Sequence, residues 1–273
     1  MRPVFRVSVV AIMIFQIAAL LAQVTVEQAL VDDGFQKTVA EKLAFLVVPP
    51  VLLLLMYPYL KRCRRVLLDL LRPVDLTARV VVLSILLGIV LRITYWSSLT
   101  LLLWIGVIGA RSTNYPIEPV FDFECPPLPV LFFSIGVMAV VVPITEEIIH
   151  RAFILHALLP RGTIMAILLS AALFAVLHGS SGHLVAFCGG IFFAVQMLNS
   201  RTLWAPVIAH GTFNFAMVFD WQCLRVLWTP ALPGPKADLI GWLSLTIAVC
   251  SALLACYLVS RQAVGARNVP RHG

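Results

Sequence analysis

Eight stretches of this sequence are apolar for long enough to cross, or nearly cross, a lipid bilayer: residues 4–24, 43–60, 79–110, 128–158, 163–178, 184–198, 203–219 and 239–259. A helix rises about 1.5 Å per residue, so roughly 20 such residues span about 30 Å of hydrocarbon. Hydrocarbon offers no hydrogen bonds, and a helix satisfies every backbone N–H and C=O within its own segment. Composition agrees. The chain is 61% hydrophobic and 12% charged, with a mean hydropathy of +0.98, whereas soluble domains run near 45–50% apolar and about 25% charged. A water-soluble domain, a disordered chain, a fibre and a coiled coil are therefore excluded. The expected fold is all-α, a polytopic membrane helix bundle of about eight transmembrane helices. Short connections such as Pro160-Arg161-Gly162 leave no room for a soluble domain. The first run follows Arg2 and Arg6 as a signal peptide would, but Leu20-Leu21-Ala22 is a poor cleavage site, so it is read as an anchor.

Net charge is +7, from 20 basic and 13 acidic residues. The basic residues cluster between apolar runs, which indicates orientation in a bilayer rather than binding of nucleic acid. Lys61, Arg62, Arg64, Arg65, Arg72 and Arg79 follow the second run, whereas the first and third loops carry Glu27, Asp32, Asp33 and Glu118, Asp122, Glu124. This alternation puts both termini in the cytoplasm if 79–110 is one long helix; a division at Arg92 would invert the later orientation. The run 128–158 is long enough to contain a break at Pro143. The six cysteines include no C-x-x-C pair, so neither a disulfide framework nor a zinc ribbon is indicated.

Ionisable groups are costly in hydrocarbon and tend to face the protein interior with a task. They are concentrated here in Thr145-Glu146-Glu147-Ile148-Ile149-His150-Arg151, at His178, and in His210-Gly211-Thr212-Phe213-Asn214. Residues four apart share a helix face. Glu147 is thus expected to meet Arg151 as a structural ion pair, and Glu146 to meet His150 about 100° round the helix. Glu146, lacking a dedicated cation, is left to hold a water as a general base. A histidine can assist it, and a second histidine with an asparagine can donate to the oxyanion formed when water attacks a carbonyl. The same Glu146/His178/His210 set can alternatively coordinate zinc.

With these residues in place the chain resembles the CPBP family of intramembrane proteases, the CAAX-protease and bacteriocin-processing group. E-E-x-x-x-R stands as Glu146-Glu147-…-Arg151, F-x-x-x-H as Phe174-…-His178, and H-x-x-x-N as His210-…-Asn214, in family order and each on an expected span. The resemblance covers roughly residues 128–220 and divides the single membrane domain into N-terminal helices of unassigned role (1–127), a CPBP-like catalytic core (128–220), and a last helix with a short basic tail (221–273). It implies an intramembrane endopeptidase, a peptide hydrolase acting on a membrane-anchored or lipidated protein. Glu146 and His178 would activate water, His210 and Asn214 would form the oxyanion hole, and Glu147, Arg151 and His150 would support them. No cofactor is favoured, because a Glu/His/His set spread over separate helices lacks the H-E-x-x-H spacing of zinc proteases. Two positions depart from the family pattern: His150 stands where an aromatic is usual and Ala152 where glycine is common. The expected location is the plasma membrane of a bacterium. Competing readings are a proton-coupled transporter, which predicts inverted repeats that the sequence does not show, and a non-catalytic immunity or scaffold protein of the same fold.

Overall fold

The computed structural model describes residues 8–72, 76–104, 117–123, 125–178, 183–230 and 235–267. Arg2, Arg6 and Glu124, named above, lie outside them. The eight apolar stretches become eight long helical rods: α1 (Val9–Asp32), α3 (Val48–Leu70), α4 (Ala78–Trp104), α5 (Leu128–Arg161), α6 (Thr163–Val176), α7 (His183–Ser200), α8 (Trp204–Cys223) and α9 (Pro235–Arg267). A short helix, α2 (Lys37–Phe45), links the first two rods. Among the described residues six segments are long and apolar enough to cross a bilayer, the second combining most of α2 with α3. The other two rods are α6, at 14 residues, and α8, which carries His210, Asn214 and Asp220.

Each rod divides its surface between bundle and lipid. In α1 the Ser8 hydroxyl accepts from the Ala11 N–H and caps the helix start. Its buried residues, Ile12, Gln16, Ala19 and Gln23, follow at intervals of four, three and four, the spacing of one helix face. Val10, Ile14, Ile17 and Leu21 stay 49–69% exposed on the rest. In water such a surface would be an aggregation hazard; in a bilayer it is the solvated side.

Close approach relies on small residues, as packing in membranes does. A Cβ on Gly190 of α7 would stand 3.0 Å from Ala171 of α6, and one on Gly211 of α8 would stand 2.5 Å from the Ala139 carbonyl of α5. A Cβ on Gly88 of α4 would collide with the Ala209 carbonyl and the Thr212 side chain of α8. Gly88→Leu is therefore expected to push α8 away, destabilising the protein by about 1–3 kcal/mol and lowering its melting temperature in detergent. An unchanged melting temperature would show that α4 and α8 do not touch there.

Two expectations about continuity are settled. Helix α4 runs unbroken through Arg92. Pro143 does not break α5, but the turn before it, Gly136–Val141, widens to π-helical pitch, and a second π segment covers Ile148–Leu155.

One feature was not expected. β1 (Ile117–Phe123) pairs antiparallel with β2 (Leu224–Pro230), Phe123 opposite Leu224 and Ile117 opposite Pro230. Beside that end of the ribbon Cys125 and Cys223 form a disulfide. The cysteines stand 98 positions apart, so no local spacing announced the bond.

Candidate active site

Pro143 prepares the first part of the site. In the π turn the Val142 N–H bonds to the Val137 carbonyl, and Pro143, lacking an N–H, cannot serve the next one along. The Met138 carbonyl is thus left for a donor from outside its own helix. Asn214 of α8 supplies it, Nδ2 donating at 2.9 Å. That bond uses one of the two amide hydrogens. π-Helical turns of this kind recur at functional sites for the same reason, that they free backbone groups and re-aim side chains.

The next turn carries the carboxylates. Glu147 and Arg151 are both fully buried and form an ion pair at 2.9 Å, as the four-residue spacing required. The other oxygen of Glu147 accepts from His210 Nδ1 at 2.9 Å. His210 is also stacked on Phe193, ring centroids 5.0 Å apart, and meets the edge of Phe174 at 5.9 Å. Its ring plane is thereby fixed, with Nε2 facing Glu146 Oε2 at 3.7 Å. Glu146 differs from its neighbour in that its side chain keeps 27% exposure; among the described residues its Oε2 has neither a cation nor a hydrogen-bond partner of its own beyond the approach of His210.

Phe174 sits among the polar groups. Its ring lies 4.5 Å from that of His178, 5.0 Å from that of His150 and 5.1 Å from the Arg151 guanidinium carbon. Its carbonyl accepts from His178 Nδ1 at 2.9 Å. A carbonyl only accepts, so Nδ1 carries the proton, and a neutral His178 keeps its Nε2 lone pair free.

His150 does not meet Glu146, contrary to the four-residue expectation. It turns to α1, where its Nε2 lies 2.9 Å from the Gln16 side-chain nitrogen. The π turn beginning at Ile148 changes the angular step between residues, and Gln16 offers the buried imidazole a hydrogen-bond partner. The neighbouring Glu147–Arg151 pair keeps its register through its own attraction.

Glu146, His178, His210 and Asn214 line one cavity of about 390 Å³. Its opposite wall comes from the N-terminal helices: Gln16 and Gln23 of α1, Glu41 of α2, Leu52 of α3, and Arg92 and Tyr95 of α4. The first spans thus enclose the site, a role that sequence reading left unassigned. A signal was present, since Gln16 and Gln23, seven apart on one helix face, are polar in an otherwise apolar span. Among the described residues no three His, Cys, Asp or Glu side chains are grouped so as to hold a metal ion. Glu146, His178 and His210, the set named above as the alternative zinc ligands, are not grouped in that way.

An internal carboxylate, two oriented imidazoles and an amide, facing one chamber in a bundle of membrane-crossing helices, are the groups that hydrolysis inside a membrane would require. Comparison with known proteins agrees. Residues 128–216 match the family model described as Rce1-like, type II CAAX prenyl endopeptidase Rce1-like, which bears out the resemblance carried by the three motifs. No curated protein and no solved structure matches the chain.

Proposed function

We propose that the protein is a metal-independent intramembrane endopeptidase that cleaves a membrane-anchored or lipidated protein. The observation that carries this reading is the meeting of Glu146, His178, His210 and Asn214, from three separated stretches of chain, in one cavity. Glu146 takes a proton from a water held by the free Nε2 of His178. The resulting hydroxide oxygen bonds to the scissile carbonyl carbon, and the carbonyl oxygen becomes an oxyanion. A doubly protonated His210, its Nδ1–H held by Glu147, donates Nε2–H to that oxyanion together with the unused Asn214 amide hydrogen. Collapse breaks the C–N bond, and the protonated Glu146 returns its proton to the leaving amine. The products are one carboxyl terminus and one amine, and Glu146 is again ionised. Glu147, Arg151 and His150 position the reacting groups. Helices α1–α4 wall the chamber, the described residues of 128–220 form the catalytic core, and α9 closes the bundle.

The orientation we propose puts both termini in the cytoplasm of a bacterium, with the protein in its plasma membrane. The Cys125–Cys223 disulfide supports it. Such bonds persist on the oxidising side of a membrane, and this one joins the acidic third loop to the end of α8 opposite Arg201.

The test incubates purified, detergent-solubilised protein with membrane peptides in oxygen-18 water and follows the products by mass spectrometry. We expect one heavy oxygen in the new carboxyl terminus and unchanged activity after dialysis against a chelator. Folded protein that leaves every peptide intact would overturn the peptidase reading. Activity lost to the chelator and restored by zinc would overturn the metal-free one.

A further inference from the structure

An arginine inside a membrane bundle is expensive to keep unless something answers its charge. Arg92 is only 4% exposed. Its Nε donates to Asp220 Oδ2 at 2.8 Å, and the same oxygen accepts from the Trp96 indole N–H at 2.7 Å. The rings of Tyr95, Trp96 and Phe213 lie 4.8, 5.3 and 5.5 Å from the guanidinium carbon. Asp220 therefore neutralises the arginine through one corner of its fork. A guanidinium has five N–H donors, yet Nη2 is buried without a hydrogen-bond partner among the described residues. The side chain lines the same cavity as Glu146, His178, His210 and Asn214.

We propose that Arg92 is a carboxylate-binding subsite of this cavity, receiving on its unused edge either the C-terminal carboxylate or an acidic side chain of the bound peptide. The inference rests on the peptidase reading and gives its substrate an anionic anchor. A carboxylate is the group whose two oxygens match the planar fork, and the surrounding aromatic rings shield the pair from water. Asn214 and Asp220 are six residues apart on α8, a rise of about 9 Å. The anchor is thus close enough to the hydrolytic groups for one short peptide to reach both, and fixing one end orients the scissile bond.

Binding and cleavage are measured separately. The probe is a fluorescent, N-palmitoylated octapeptide of alanine, leucine and serine in three forms: free acid, C-terminal amide, and amide ending in aspartate. Titrated into Glu146→Gln protein in detergent, the acid is expected to bind about ten- to a hundred-fold more tightly than the plain amide. Arg92→Gln, added to that protein, removes the difference. Asp220→Asn keeps an acceptor for Trp96 but releases the guanidinium from its counter-ion, and so enlarges the difference. Tight binding of the aspartate amide assigns the subsite to acidic side chains; weak binding assigns it to the chain terminus.

Equal affinity for acid and plain amide would overturn the proposal, as would a difference that survives Arg92→Gln. If Arg92→Gln does not fold, Asp220→Asn decides: an enlarged difference supports the subsite and an unchanged one overturns it. Cleavage of acid and amide at equal efficiency would sink the subsite and leave the peptidase standing. Discrimination in binding without cleavage of any peptide would do the reverse.

Discussion

Glu146→Gln is expected to lower kcat by about a thousand-fold or more while leaving peptide affinity within about three-fold. General-base catalysis contributes roughly 10²–10⁴ in rate, and an amide in place of the carboxylate cannot take the proton from water. The substitution is nearly isosteric and falls on the partly exposed carboxylate, so it does not disturb the buried Glu147–Arg151 pair. Loss in kcat with unchanged binding separates a chemical role from a structural one. The measurement is single-turnover cleavage of a labelled peptide beside a binding titration. A variant within ten-fold of the parent rate would remove Glu146 from the mechanism.

Glu147→Ala is expected to act on the fold as well as on activity. It strands a fully buried guanidinium and deprives His210 Nδ1 of its acceptor. Removing one partner of a buried ion pair costs about 3–5 kcal/mol, whereas replacing both by apolar groups of similar size is often close to neutral. The double variant Glu147→Met/Arg151→Leu should therefore recover most of the lost stability but not the activity, because His210 still lacks the carboxylate that orients it. Unfolding in detergent and cleavage, measured on the same preparations, check this. A double variant that regains cleavage would show that the orientation of His210 does not matter to the reaction.

The parts legible from sequence were those governed by local rules. Eight rods follow from the length of the apolar runs, and Glu147–Arg151 from helix periodicity. The motifs at Glu146, Phe174, His178, His210 and Asn214 pointed to a shared chamber because polar residues have few other places to go in a bilayer. What escaped depended on geometry set at a distance. The π pitch after Glu147 accompanies the turn of His150 towards α1, a rotation invisible to a four-residue rule. Asn214 looked like an oxyanion donor alone, whereas it also serves the Met138 carbonyl that Pro143 leaves free. Arg92 stood in the sequence only as the point at which the third run would divide, whereas it pairs with Asp220, 128 residues away. Cys125 and Cys223, 98 positions apart, meet beside the paired strands, a contact that no local pattern encodes.

The way α1 closes the chamber bears on how much of this polypeptide constitutes a working unit. Family likeness begins at residue 128, yet Gln16 holds His150, and four helices upstream of that point furnish the far side of the hollow. A fragment trimmed to the recognisable portion would be a half-shell, its hydrolytic groups open to acyl chains instead of confined water. Any excised module meant to keep the chemistry has to carry the four helices upstream of residue 128 along.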